Sequence, residues 1–101
     1  MLKTAIESMD LSPFMPVIAH RGTSATHPEN TLDAFEHALY HDISSLEFDV
    51  QLSKCGTPVV IHDHTLDRTT SGSGLVCDHT YHEIRKYDAG SWFSPKFSKT
   101  Y

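Results

Sequence analysis

Three short stretches of this chain hold residue types that could do chemistry together: His20-Arg21, Glu47-x-Asp49 and His62-Asp63. Carboxylates at i and i+2 of an extended segment share one face, and paired oxygen donors suit one hard divalent cation, Mg²⁺ or Ca²⁺, with Mn²⁺ as an alternative. The plainer account of Glu47 and Asp49 is that they mark the solvent face of a half-buried strand. Two imidazoles placed by strand ends can share acid and base work, one taking the proton of a nucleophile and the other protonating a leaving oxygen. The fork of Arg21 suits a phosphate, with a surface salt bridge as its ordinary alternative. A cation and a guanidinium beside two imidazoles stabilise charge growing on a phosphoryl group, so the set points to phosphodiester cleavage without naming a substrate. His27, His37, His41, His64, His79 and His82 fall in loops or on polar helix faces and read as solvated surface groups.

Those residues need a scaffold. Val17-Ile18-Ala19 reads as a buried strand delivering His20-Arg21-Gly22 to a loop. Asn30 as N-cap, Asp33 three residues on, and Leu32, Phe35, Ala38 and Leu39 at helical spacing predict a helix from Thr31 to His41 that buries Phe35 and Leu39. Strict alternation from Leu46 to Leu52 predicts a strand with Leu46, Phe48, Val50 and Leu52 on one face and Glu47, Asp49 and Gln51 on the other. Strand, helix and strand in this order form a βαβ unit with a right-handed crossover and parallel pairing. A third strand, Val59 to His62, follows too soon for a crossover, so a hairpin is expected with Cys55-Gly56 at its tip. A two- or four-residue loop sets Asp49 opposite His62 and Glu47 opposite His64, whereas a three- or five-residue loop moves the acidic and histidine faces apart. Asp67 to Gly74 reads as a loop, and Thr80-x-x-Glu83 as a capping box opening a short helix.

The 101 residues fit a single domain or part of one. At 39% hydrophobic and 21% charged, the composition is that of a globular protein and excludes disordered and collagen-like classes. A net charge of -5 has the wrong sign for gripping nucleic acid or an anionic membrane, so neither partner is expected. Cys55 and Cys77 lack metal-site spacing, and a reducing compartment is the default. No apolar run approaches the ~20 residues that span a bilayer, and the N-terminus lacks a signal-peptide core, so the chain reads as cytoplasmic. Residues 1–16 are expected to be a lead-in segment, with weak helical character broken by Pro13 and Pro16, and residues 17–101 the functional portion.

His20-Arg21-Gly22, Pro28-Glu29-Asn30-Thr31, Glu47-x-Asp49-Val50, Val59-Val60-Ile61-His62-Asp63 and Leu66-Asp67-Arg68-Thr69-Thr70 with Gly74 recur in order from residue 17 to about residue 93. The series resembles the glycerophosphodiester phosphodiesterase family. The resemblance implies an α/β fold of the TIM-barrel (βα)8 type and hydrolysis of glycerophosphodiesters, in lipid and glycerol metabolism, to an alcohol and glycerol 3-phosphate. It also implies that His20 and His62 are the acid and base pair, that Arg21 binds the substrate phosphate, and that Glu47 and Asp49 hold one divalent cation. Glu29 matches an acidic residue near that cation and is either a ligand or a residue behind one. In the mechanism so implied, a glycerol hydroxyl attacks phosphorus and water then opens a cyclic phosphate. Two positions depart from the family pattern: Cys55 stands where Asp is usual, and His41-Asp42-Ile43-Ser44-Ser45 replaces a Gly-Ala-Asp approach. A TIM barrel takes ~250 residues, so this chain is expected to supply about three strands of a barrel truncated at its C-terminus, without the family's third metal carboxylate. On that expectation the isolated chain is catalytically incomplete and self-associates. A non-catalytic half-barrel acting as an interaction module is the alternative reading.

Overall fold

The computed structural model describes residues 17–43 and 45–101. The expected lead-in, residues 1–16, lies outside the described residues. β1 (Ile18–His20), α1 (Leu32–Tyr40) and β2 (Ser45–Glu47) form the expected βαβ unit, and the two strands pair in parallel with His20 beside Glu47. β3 (Val50–Leu52) and β4 (Pro58–Val60) form a separate antiparallel hairpin, and α2 (Tyr81–Ile84) follows a long loop. As its capping box predicts, α2 opens with the Thr80 hydroxyl accepting the Glu83 N–H at 3.1 Å.

Three local expectations need correction. The strand expected from Leu46 to Leu52 is broken at Phe48-Asp49, and its halves pair with different partners, β2 with β1 and β3 with β4. The cap of α1 is Thr31, whose hydroxyl accepts the Ala34 N–H at 3.3 Å. Asn30 is unsuited to that role because its backbone is left-handed, with φ 57°, and an N-cap needs extended φ/ψ. The buried face of α1 is also rotated from the one its larger residues mark. Ala34 and Ala38 are wholly buried, Phe35 is half-buried against Phe48, and Leu39 is exposed. The reason is close approach: Ala38 packs with Ala19 and Ile43, and Ala34 abuts Gly22, so only methyl-sized side chains fit there.

The hairpin register differs from the expected one by one residue. Val50 pairs with Val60 and Leu52 with Pro58, and the Ile61 N–H donates to the Asp49 carbonyl at 2.9 Å. Asp49 is therefore set against Ile61, not His62, and the expected cross-strand pairs of Asp49 with His62 and Glu47 with His64 do not form. The turn explains the shift. The Gly56 N–H donates to the Ser53 carbonyl and the Ser53 N–H to the Thr57 carbonyl, both at 2.9 Å, so Lys54-Cys55-Gly56 make a three-residue turn. Gly56, at φ 80°, supplies the left-handed position that closes such a turn.

Among the described residues two small cores result. Ile61, Leu66, Val76 and Ile84 form one, and Ala19, Ala38 and Ile43 the other. Outside them Phe48, Val50, Leu52 and Val60 stand at least 40% exposed, and the register puts Val50, Leu52 and Val60 on one face of the hairpin. A contiguous apolar face of this kind is uncommon on soluble monomers, and short sheets with open edges recruit further strands. The 101-residue chain on its own is therefore expected to self-associate, with its sedimentation coefficient rising with protein concentration. A concentration-independent monomer with a sharp thermal transition would contradict this.

Candidate active site

The end of β1 brings the first groups together. The Arg21 N–H donates to the Glu47 carbonyl at 2.8 Å and lies 3.2 Å from Glu47 Oε1, which draws the turn after β1 onto the end of β2. Arg21 takes a left-handed backbone, φ 55°, at a cost of about 1 to 2 kcal/mol for a residue with a Cβ. Its carbonyl accepts the N–H of Asn30, a second non-glycine residue with a left-handed backbone in this region, at 2.9 Å. Strain concentrated beside candidate catalytic groups is characteristic of sites whose surroundings over-determine the backbone.

Side chains extend the cluster. Arg21 Nη1 donates to Glu29 Oε2 at 3.1 Å, and Arg21 Nε lies 3.1 Å from Asp49 Oδ2 as an ion pair without hydrogen-bond alignment. Asn30 Nδ2 donates to the same Asp49 oxygen at 3.1 Å, while Asn30 Oδ1 is buried without a hydrogen-bond partner. His20 Nε2 lies 3.8 Å from Glu47 Oε1. His20, Arg21, Glu29, Glu47 and Asp49, five of the six residues singled out in the sequence, thus belong to one connected cluster.

His62, the sixth, belongs to a second group. Its Nδ1 is 2.9 Å from Asp63 Oδ1, and Arg68 grips both oxygens of Asp63 through Nε and Nη2, each at 2.9 Å. Arg68 also reaches Glu29, with Nη1 at 2.9 Å from Oε1 and Nη2 at 3.1 Å from Oε2. The two groups are therefore joined through Glu29, which Arg21 and Arg68 hold from either side. The fork of Arg68, then the contact with His62, holds the Asp63 carboxyl well below the usual carboxylate range. Asp63 and Glu29 in turn raise the Arg68 pKa. Asp49 and His62, though not cross-strand partners, line the same open cleft with Gln51, Asp63 and Thr65.

From the sequence Arg68 has no site role, Asn30 has only that of a helix cap, and Asp63 has none beyond its place at a strand end. A signal for each is present in the chain: Asp63 follows His62 directly, Arg68 lies in the Leu66 to Thr70 motif, and Asn30 follows Glu29. Spacing alone does not connect Arg68 to Glu29, which lies 39 residues earlier.

The family model described as "Glycerophosphoryl diester phosphodiesterase family" matches residues 20–101, the stretch that carries all of these groups. The chain belongs to the glycerophosphoryl diester phosphodiesterase family. It is 55% identical over 82 residues to a glycerophosphodiester phosphodiesterase of Caldanaerobacter subterraneus subsp. tengcongensis, which spans 81% of this chain and 34% of that relative. A crystal structure of a glycerophosphodiester phosphodiesterase from Agrobacterium tumefaciens superposes with TM-score 0.83 at 41% identity, over 86% of this chain and 38% of that one. A phosphodiesterase of Oleispira antarctica, solved with its product sn-glycerol-3-phosphate, superposes with TM-score 0.81 at 43% identity, over 87% of this chain and 36% of that one. The chain thus spans about a third of the length of the curated relatives it matches. Its fold is the corresponding part of the family's TIM barrel, an incomplete barrel whose strand ends carry the cluster. Among the described residues no helix is long and apolar enough to cross a membrane.

Proposed function

We propose that this chain supplies the N-terminal third of a cytoplasmic phosphodiesterase that hydrolyses glycerophosphodiesters to an alcohol and glycerol 3-phosphate. The observation that carries the reading is the meeting of His20, Arg21, Glu47 and Asp49 at the ends of β1 and β2, with His20 Nε2 3.8 Å from Glu47 and Arg21 Nε 3.1 Å from Asp49. Functional groups of TIM barrels gather at the C-terminal ends of the strands. The product-bound relative supports a small phosphate-bearing ligand. A cytoplasmic setting suits two cysteines that stand unbridged.

In this reading one member of the His20 and His62 pair takes the proton from a glycerol hydroxyl as that oxygen bonds to phosphorus. The other gives a proton to the departing alcohol oxygen as its bond to phosphorus breaks. Water then opens the cyclic phosphate with the proton transfers reversed, leaving glycerol 3-phosphate. Arg21 acts on the phosphate as a forked donor, held in place by Glu29 and by the backbone contact with β2.

The donor set fits part of a cation site. Glu47 and Asp49 offer hard oxygens, and beside them Asn30 Oδ1 is a buried acceptor with no partner. Among the described residues no three His, Cys, Asp or Glu side chains close around one point, so further ligands come from elsewhere in a complete barrel. Glu47 and Asp49 would hold one divalent cation, Mg²⁺, Ca²⁺ or Mn²⁺, and when bound it would offset the charge that grows on the phosphoryl oxygens. The carboxylate of Glu29 is engaged by two guanidinium groups, so its role in this reading is to hold Arg21 and Arg68.

The test is glycerol 3-phosphate release from a glycerophosphodiester, with and without chelator, by a complete barrel in which residues 20–101 replace the matching third of the Caldanaerobacter relative. Chelator-sensitive release is expected; none at any cation concentration would overturn the reading. In the same barrel Asp49→Ala should weaken cation affinity, so that activity lost at low Mg²⁺ or Ca²⁺ partly returns as the cation is raised. Activity of that variant indifferent to added cation would remove Asp49 from the ligand set.

A further inference from the structure

His62 is the candidate catalytic group whose surroundings say most about how it must be protonated. Its side chain is 47% exposed and its Nδ1 lies 2.9 Å from Asp63 Oδ1. That pair has two descriptions, depending on which atom carries the hydrogen. Arg68 decides between them. Its Nε and Nη2 donate to the two oxygens of Asp63, each at 2.9 Å, which favours the ionised carboxylate and leaves it an acceptor only. The direction of the Asp63 pKa, well below the usual range, agrees. An acceptor at Oδ1 requires a proton on His62 Nδ1. Arg68 itself is fixed from two further directions, by the fork onto Glu29 and by the Trp92 ring, whose centroid lies 5.8 Å from its Cζ.

The geometry points to Asp63 and Arg68 as positioning residues that hold the neutral His62 imidazole as its Nδ1–H tautomer, leaving Nε2 as the nitrogen that exchanges protons with the substrate. The role in turnover rests on the function proposed above, whereas the tautomer rests only on the contacts. Arg68 does this from Glu29, which also holds Arg21, so the same guanidinium ties the histidine that follows β4 to the arginine that follows β1. A role in stability alone is disfavoured by exposure: Arg68 and His62 are each nearly half accessible, and ion pairs at such sites contribute little to folding. A fork onto both oxygens of Asp63 also cannot be replaced by a point charge, so Arg68→Lys should not reproduce it.

The experiment reads the tautomer directly. Magic-angle-spinning ¹⁵N spectra of the histidine-labelled 101-residue chain, at a pH of about 8 where imidazoles are ordinarily neutral, would be assigned by subtraction with His62→Gln; the method works on associated protein. The wild-type His62 signal is expected from Nδ1–H, and Asp63→Ala, which removes the acceptor, is expected to lower the Nδ1–H share. Arg68→Lys should give a mixture. A wild-type ring that is mainly Nε2–H or evenly mixed overturns the proposal, as does an Asp63→Ala ring whose Nδ1–H share is unchanged. In the complete barrel Asp63→Asn should lower kcat by about 10² or more with KM changed only a few-fold. An unchanged kcat in an active barrel would refute the positioning role while leaving the proposed function intact. The expected tautomers in a barrel that releases no glycerol 3-phosphate would refute the proposed function while leaving the assignment of His62 intact.

Discussion

Alanine at His20 or at His62, introduced into the complete barrel that carries residues 20–101, should lower glycerol 3-phosphate release by about 10²- to 10⁴-fold, the usual effect of losing a positioned acid or base. The fold should survive both changes. Neither ring is packed in a core: the side chains are 66% and 47% exposed, and the principal contacts of His20 and His62 are with Glu47 and Asp63 at the surface of the strand ends. Thermal midpoints close to the parent's, together with turnover reduced by that factor, are the expected pair of results. Rates near the parent's in either variant would remove that histidine from the acid and base pair. A low rate with a collapsed thermal midpoint would assign it to the scaffold instead.

Gly22→Ala should destabilise the fold by about 3 kcal/mol, a large part of the total for any small domain. Two costs combine at this position. The backbone is left-handed, φ 77°, which costs a residue with a Cβ about 1 to 2 kcal/mol. The added methyl would also lie 2.7 Å from Ala34 Cβ and 2.8 Å from the Ala34 carbonyl carbon, and relieving such overpacking costs typically 1 to 3 kcal/mol. Ala34 cannot yield as a flexible side chain would, because the contact includes the backbone of α1. Denaturant unfolding of the complete barrel would read the loss as a lower midpoint at unchanged slope. A loss under about 1 kcal/mol would mean that α1 and the turn after β1 separate easily. Since Gly22 follows Arg21, the same variant should also disturb the contacts of Arg21 with Glu29 and Asp49.

Much of the architecture was legible in the chain because the relevant forces are local or carry a clear period. The apolar run ending at His20, the helical spacing after Thr31 and the alternation after Leu46 suffice for a βαβ unit, and the parallel pairing of β1 and β2 follows that expectation. The capping box at Thr80 is a contact over three residues and was readable for that reason. The structure departs from those expectations where a small backbone difference decides the outcome. A glycine at the left-handed position of a three-residue turn shifts a hairpin by one residue, and period-two alternation turns that shift into a change of face. In α1 the residues that mark the apolar stripe are the large ones, yet the approach of the turn at Gly22 selects the alanines.

The candidate site divides in the same way. From the sequence by itself came the chemical inventory: two histidines, an arginine and a pair of carboxylates at strand ends, in an order and spacing that belong to the glycerophosphoryl diester phosphodiesterase family. Residue type and order are properties of the chain and survive any error in register. Which of these groups touch was decided only by the tertiary structure. Asn30 left its expected capping role to reach Asp49, Glu29 became the joint between Arg21 and Arg68, and Arg68 came to hold the aspartate beside His62. Such contacts join loops far apart in sequence, and no periodicity reports them. They form because a charged group drawn away from water is stable only where opposite charge or a hydrogen-bond partner meets it, and where that partner stands depends on how strands and loops converge in space.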